Sequence, residues 1–380
     1  MVHRIYFSVC GEGYGHSSRD IAIAKELTRE GADVLTGSYG YVLDRLKKNF
    51  NTVEIEREFE MIGEEGAFDL KATIARSKGT AFRLSKLIYN ERKIMEDFNA
   101  TCVVADGRAA AVFAAYKLGL PCVIISNQTS VEPFFKERSF FVRLMGKPVE
   151  LTLKKMIALT ENTLIPDLPP PHTVCLNTLS NNKHIMKKQR FIGPVVNLGE
   201  TNNGKSNDIS SPFILTLLGG HSFRLPIFNC ILRVSERFPE TNFIIFTKFK
   251  CNKPPENVKI FEFANDIFPY MRKSEFIITQ AGHSTAMEAL ILGKPTLIIP
   301  DKGQIEQESN AMRMRELGIG EMLNYDSLDE ESLFVKINAL LTDARFKEKA
   351  LFYSEMAKNM RGSITAKEII LELSERIQCY

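Results

Sequence analysis

The chain has 380 residues, 44% hydrophobic and 25% charged, which excludes disordered and fibrous classes and suits two domains of about 150 to 200 residues better than one core. Its formal net charge of +3 is too small to argue for a nucleic-acid partner. Seven scattered cysteines (Cys10, Cys102, Cys122, Cys175, Cys230, Cys251, Cys379) form no C-x-x-C pair, so a disulfide framework or zinc site is not expected and a reducing, cytoplasmic setting is.

The N-terminal run RIYFSVC is too short for a signal peptide and lacks a small-residue cleavage pattern. No apolar stretch approaches the roughly 18 to 20 residues of a membrane span. Short β-branched runs then alternate with helical patterns, as in a doubly wound parallel sheet. Ile5 to Val9 is a strand, Ser17 to Arg29 a helix, Asp33 to Thr36 a strand and Tyr41 to Lys48 a helix. After a long basic helical stretch come strand Thr101 to Ala105, helix Ala109 to Leu118 and strand Cys122 to Ser126. Ala32, Leu118-Gly119 and Pro121 stand where helices stop.

Phe191 to Val196 closes this first series as a strand. Residues 199–211, GETNNGKSNDISS, are polar, rich in Gly and Asn and without periodicity, which marks a linker. The pattern restarts at Phe213 to Leu218, runs into Gly219-Gly220 and a helix, and continues with strands Phe243 to Thr247, Val258 to Phe261, Glu275 to Thr279 and Thr296 to Ile299. The expected organisation is an α/β pair of Rossmann-like, doubly wound parallel-sheet domains facing a cleft, residues 1–198 and 212–363. A last helix, Thr365 to Ile377, fits either domain by pattern, and 364–380 can return to the first. Ligands of such sheets bind beyond the carboxyl ends of the strands.

In FIITQAGHSTAMEALILGKPTLIIP a strand ends near Gln280, a turn holds Gly282 and a helix starts at Ser284 or Thr285. Unpaired N–H groups at a helix start attract phosphate. Gly282 allows close approach, and Ser284 and Thr285 add hydroxyl donors. Glu288, a turn later on the face of Thr285, can accept both hydroxyls of a ribose. The plain alternative is that the two hydroxyls only cap the helix and Glu288 favours its dipole.

The segment continues as PDKGQIEQESNA. Together these stretches resemble the nucleotide-binding signature of the UDP-glycosyltransferases, through Gly282, His283, Ser284, Thr285, Glu288, Gly293, Pro295, Glu306, Gln307, Asn310 and Ala311. The resemblance implies Glu288 on ribose, the turn with His283 on the diphosphate, and Glu306 with Gln307 on donor-sugar hydroxyls. His283 and Ser284 depart from the Trp and Asn of the plant version. Upstream, Gly219-Gly220-His221-Ser222 is similar to the Gly-Gly-Ser loop of the bacterial peptidoglycan N-acetylglucosaminyltransferases. FEFANDIFPYMRKSEF resembles the base-binding loop, which implies that the Ala264 backbone meets the uracil edge.

The first turn, CGEGYGHSSRD, does not complete G-x-G-x-x-G, because His16 stands where the third Gly belongs. Thr36-Gly37-Ser38 also replaces the acid expected on the second strand, so a nicotinamide cofactor is rejected. The run through Gly13, Gly15 and His16 resembles the N-terminal Gly-rich loop of the same glycosyltransferases, which implies His16 as general base. Asp106 resembles the aspartate that orients this base in plant members. As alternatives, His16 bonds a local carbonyl and Asp106 caps the helix at Ala109. Such displacement needs no metal or other cofactor beyond the sugar nucleotide, and no D-x-D occurs.

Lys71 to Lys93 carries seven basic residues against Glu91, and Pro133 to Ala158 six against two acids, interleaved with Phe134, Phe135, Phe140, Phe141, Leu144 and Met145. Such surfaces suit an anionic bilayer, although solvated faces of ordinary amphipathic helices read the same way. The resemblance makes a lipid-linked acceptor and peripheral membrane contact through 133–158 the leading expectation. The alternatives are a UDP-sugar 2-epimerase of similar fold and a non-catalytic nucleotide-sugar or lipid-binding protein. The ending Glu306-Gln307-x-x-Asn310-Ala311 favours the transferase.

Overall fold

A computed structural model describes residues 2–12, 14–58, 63–64, 67–68, 80–136, 140–197, 212–264 and 266–378. The chain divides into two compact units. The first comprises 1–62, 69–197 and 360–380; the second comprises 63–68 and 198–359. The linker predicted at 199–211 lies outside the described residues.

The first unit holds β1 (Arg4–Val9), α1 (Tyr14–Arg29), β2 (Asp33–Ser38), α2 (Gly40–Lys47) and β3 (Asn51–Glu54). The hairpin β4 (Gly63–Glu64) and β5 (Ala67–Phe68) goes with the second unit. The first unit resumes with α3 (Thr80–Phe98), β6 (Cys102–Asp106), α4 (Ala109–Leu118), β7 (Cys122–Ile125), α5 (Pro133–Lys136), α6 (Phe140–Leu159), β8 (Asn162–Ile165), α7 (Lys183–Met186) and β9 (Gln189–Phe191). Its strands form a seven-stranded sheet in the order β3-β2-β1-β6-β7-β8-β9, with every described pairing parallel.

Successive side chains of β1 point to opposite faces. Ile5, Phe7 and Val9 enter one core, and Tyr6 enters the other. Both faces are therefore covered, which is why these strands read as near-continuous apolar runs. Each fully buried Phe or Ile in them contributes about 1.5 to 3 kcal/mol. The last helix, α14 (Gly362–Gln378), supplies Ala366, Ile370 and Leu373 to the first core. Its Ser374 Oγ lies 3.0 Å from His3 Nδ1 and 2.6 Å from Thr101 Oγ1.

The second unit continues with β10 (Phe213–Gly219), α8 (Leu225–Ser235), β11 (Asn242–Thr247), β12 (Val258–Phe261), α9 (Phe268–Lys273), β13 (Ile277–Thr279), α10 (His283–Ile291), β14 (Thr296–Ile298), α11 (Ile305–Glu316), β15 (Gly320–Met322), α12 (Glu330–Thr342) and α13 (Ala344–Met360). Its six-stranded sheet runs β12-β11-β10-β13-β14-β15, also with parallel pairings.

The strand expected over Phe191 to Val196 is displaced. β9 ends at Phe191, because Gly193 takes a left-handed φ of 86° and Pro194 has no N–H for the ladder. Five strands escaped prediction: the two-residue β4 and β5, and β3 (NTVE), β8 (NTLI) and β15 (GEM). Each is too short or too polar to give an alternating run.

Candidate active site

Both sheets reverse their strand order once. In the first unit β1 is flanked by β2 and β6; in the second β10 is flanked by β11 and β13. The carboxyl ends of the strands at such a reversal are where a parallel sheet opens a crevice for ligands. His16, Asp106, the Gly219–Ser222 turn and the Gly282–Glu288 segment follow or end these strands, whereas Ala264 follows β12 and Glu306 with Gln307 follows β14.

In the first unit the chain leaves β1 through Cys10 and Gly11. A Cβ on Gly11 would lie 2.4 Å from the Tyr39 ring and carbonyl, so only glycine fits there. Gly13 lies outside the described residues. Helix α1 already begins at Tyr14, which puts Gly15 and His16 inside its first turn instead of ahead of it. The side chain of His16 is 32% exposed, while that of Asp106, the last residue of β6, is 1% exposed.

His16 Nδ1 lies 2.7 Å from Asp106 Oδ1. Asp106 does not cap α4: the cap position is Arg108, without a side-chain cap bond. Arg19 Nε donates to Asp106 Oδ2 at 2.6 Å, and its Nη2 donates to Oδ1 at 2.5 Å. Arg19 Nη2 is also 3.0 Å from His16 Nδ1. A neutral imidazole beside a carboxylate at 2.7 Å carries its proton on Nδ1 and donates it, so the lone pair stays on Nε2. Burial favours the neutral form of Asp106, yet the Arg19 charge and the His16 contact prevail and hold it well below the usual carboxylate range. Arg19 was missed in the sequence, although its i+3 spacing from His16 puts both on one helix face.

A second buried network lies next to Asp106 in the chain. Arg108 Nη2 donates to Glu91 Oε1 at 3.0 Å, and Tyr6 and Ser8 donate to the same carboxylate at 2.7 and 2.8 Å. Glu58 Oε1 accepts from Ala110 N at 3.0 Å, at the start of α4. One cation, Arg108, thus stands between two acids, and burial pushes Glu58 up to about 7 against the opposing pull of Arg108.

In the second unit β10 and β13 are hydrogen-bonded neighbours. The turn after β10 places Gly219 at φ 64°, with its carbonyl accepting from Lys248 N at 3.1 Å and Thr247 Oγ1 at 2.9 Å. A Cβ on Gly220 would meet Lys248 Cδ at 2.5 Å. His221 and Ser222 are exposed. Partial burial and the Arg224 charge depress the His221 imidazole below its ordinary value.

After β13, Ala281 takes φ 59°, a conformation that costs a non-glycine residue about 1 to 3 kcal/mol. Asn310 Nδ2 donates to the Ala281 carbonyl at 3.0 Å and holds the turn. Helix α10 starts at His283, with Gly282 at its cap and no side-chain cap bond. Ser284 and Thr285 are therefore second and third in the helix and do not cap it, which corrects the start expected at either of them. The Gly282 carbonyl begins the ladder by accepting from Ala286 N at 3.0 Å. A Cβ on Gly282 would meet nothing within 4 Å, so the space before these N–H groups is open. Ser284, Thr285 and Glu288 are half-buried, and His283 is buried.

Gln307 is engaged on its own side of the turn. Its Oε1 accepts from Asp301 N at 2.8 Å and its Nε2 donates to Asp301 Oδ2 at 3.1 Å. Arg224 pairs with the same carboxylate through Nε at 2.8 Å and through Nη2. Glu306 is half-buried in the first turn of α11. Ala264 is half-buried after β12, beside Phe263, whose ring is 75% exposed.

Two units, each built on a parallel sheet with a single reversal of strand order, define a fold of the GT-B class. The solved structure of the glycotransferase of kitacinnamycin matches with a TM-score of 0.76 over 98% of this chain and 99% of that one, at 16% identity, a likeness of fold. The family model of the glycosyltransferase family 28 C-terminal domain matches residues 235–368, and that of glycosyl transferase family 1 matches residues 3–171. An uncharacterized glycosyltransferase of Methanosarcina mazei is 34% identical over 377 residues, covering 97% of each chain. The chain belongs to this family of glycosyltransferases. Over 143 residues, 36% of the chain, it is also 31% identical to the UDP-N-acetylglucosamine–N-acetylmuramyl-(pentapeptide) pyrophosphoryl-undecaprenol N-acetylglucosamine transferase of Pelagibacter ubique.

Proposed function

We propose that the chain is an inverting glycosyltransferase that moves a hexose or N-acetylhexosamine from a UDP-sugar to a lipid-linked acceptor, without a metal ion. The observation that carries this reading is the 2.7 Å contact from His16 Nδ1 to Asp106, which leaves Nε2 as a proton acceptor at the carboxyl edge of the first sheet. In the step proposed, Nε2 takes the proton of an acceptor hydroxyl as its oxygen bonds to the anomeric carbon. The bond from that carbon to the donor diphosphate breaks on the opposite face, and its electron pair leaves with UDP. The N–H groups opening α10, with the Ser284 and Thr285 hydroxyls, receive the departing charge. Glu288 accepts from the ribose, the Ala264 backbone meets the base, and Glu306 with Gln307 faces the donor sugar.

A lipid-linked acceptor is supported by the likeness to the Pelagibacter enzyme, whose name specifies an undecaprenol carrier, and by α6. Phe140, Leu144 and Leu151 are 80%, 49% and 64% exposed. At helical spacing they share a stripe about 100° wide with Arg143, Lys147 and Lys154. No helix among the described residues is long and apolar enough to cross a membrane; contact through α6 would be peripheral, from the cytoplasmic side.

The test is incubation of pure protein with a panel of UDP-sugars, with and without polyprenyl-phosphate-linked or glycolipid acceptors. Acceptor-dependent release of UDP with a β-linked product from an α-linked donor is expected. Epimerised sugar nucleotide without acceptor, or a product that retains the donor configuration, would overturn the proposal.

A further inference from the structure

Asp20 follows Arg19 on α1 and is 1% exposed. Neither of its carboxyl oxygens has a hydrogen-bond donor among the described residues. The Asp106 carboxyl acts on it both through its charge and through a side-chain hydrogen bond. The charges acting on it are Asp106 from β6 and Arg19 from its own helix. Arg19 faces Asp106, to which it is bound twice.

Two buried carboxylates cannot both stay ionised in contact when one guanidinium serves them. An unpaired pair of oxygens in a sealed site is also costly, whereas a carboxylic acid carries its own donor. Asp106 is the ionised partner, because its oxygens accept from Arg19 and His16. A carboxylate offers about four lone-pair sites. Two are taken by Arg19 and one by His16, which leaves one acceptor position for Asp20.

We propose that Asp20 is a positioning residue: it keeps a proton and donates it to Asp106, completing the donor shell that fixes the carboxylate behind His16. The assignment rests on the reading of His16 and Asp106 as the base pair. Its burial and the Asp106 charge raise Asp20 well above the usual carboxylate range, in keeping with a proton retained at neutral pH. The arrangement lets Asp106 remain an anion oriented toward Nδ1 without a second negative charge beside it. Replacing the acid by another neutral donor should preserve this state; removing the donor should leave Asp106 more basic and pull harder on the imidazolium.

The experiment is an NMR titration of His16, assigned with His16→Gln, in wild type, Asp20→Asn and Asp20→Leu without substrate. Asp20→Asn should hold the His16 midpoint within about 0.3 pH unit, since no charge is lost. Asp20→Leu should raise it by about half a unit or more, a fraction of the worth of one hydrogen bond to a charged group. A fall of about one unit in Asp20→Asn would mean that a negative charge had been removed and would overturn the proposal. So would an unmoved midpoint in folded Asp20→Leu. Should Asp20→Leu fail to fold, the infrared difference between wild type and Asp20→Asn at pH 8 decides: a protonated carboxyl stretch supports the proposal and its absence refutes it. No substrate enters these measurements, so they are independent of whether His16 is the catalytic base, which the transfer rate of His16→Gln settles.

Discussion

Replacing Asp106 by Asn keeps its shape and exchanges one oxygen for an NH2 group. The three contacts that Asp106 now accepts come from His16 Nδ1, Arg19 Nε and Arg19 Nη2. One amide oxygen cannot serve the Arg19 fork and His16 together, so a donor meets a donor in either amide orientation. The imidazole escapes by moving its proton to Nε2 and accepting at Nδ1, which takes away the lone pair needed for the acceptor hydroxyl. A positioned base supplies about 10²- to 10⁴-fold, so kcat should fall by that factor, or about 3 to 5 kcal/mol of barrier. Arg19, with a side chain 7% exposed, would also lose its counter-ion, which costs about 3 to 5 kcal/mol of stability less whatever Asp20 returns by ionising. Transfer should be followed by UDP release at saturating donor, with UDP affinity measured by calorimetry and folding by urea titration. Donor affinity should stay within about twofold, because the proposed UDP cradle lies wholly in the second unit. A folded Asp106→Asn protein that transfers sugar within threefold of the wild-type rate would refute the orienting role.

Glu58 makes the first unit pH-dependent in a defined direction. The folded protein binds its proton up to about 7, whereas the ordinary value is 4.5. Stability therefore falls as pH rises across that window, by about 3 kcal/mol, and levels off above it. Urea unfolding of Glu58→Gln between pH 5 and 7.5 should lack this decline, and an unchanged slope would discount the site. Glu288→Ala should weaken UDP binding at least tenfold in calorimetry with little change in melting temperature; equal affinity removes the ribose contact. Substituting Ser for Phe140, Leu144 and Leu151 together should reduce co-sedimentation with anionic vesicles severalfold while leaving transfer to a soluble acceptor analogue intact, and undiminished binding would return α6 to a solvated surface.

The pattern of strands and glycines was legible because both sheets are buried on two faces. Such strands are uninterrupted apolar runs, and the turns after β1, β10 and β13 carry glycine: Gly11 has no room for a Cβ beside Tyr39, Gly219 takes a positive φ, and Gly282 faces open space. The polar edge strand β3 has no such signature. Which helix residues serve the site was less legible. Ser284 and Thr285 resembled capping hydroxyls, and only the backbone of Gly282 shows that the helix starts before them. Arg19 and Asp20 carry no local signal that singles them out. Their burial comes from Asp106, 87 residues from Arg19 in sequence, and no local pattern can announce a partner at that range. Gln307 shows the converse: a motif position marked it for a sugar, and the structure shows it bracing Asp301.

The proposed mechanism puts its chemistry at equivalent points of two similar sheets, which meet opposite electrostatic demands. Helix α10 has no acidic residue in its first turn and opens on N–H groups and hydroxyls, so a diphosphate held there as proposed would meet dipoles and no first-turn anion. Arg224, the guanidinium nearest the other turn, is already paired with Asp301 and is poorly placed to act as a free counter-ion. The first unit instead encloses a matched anion and cation, Asp106 and Arg19, and leaves the imidazole as the group whose charge changes when a proton arrives. In the proposed mechanism, proton acceptance rests on His16 and Asp106 and leaving-group stabilisation on the opening of α10, in different units. Energies at sites without shared partners add, so losses at Asp106 and Glu288 should multiply in the double variant. A strongly sub-multiplicative loss would mean that the two turns act through a common element.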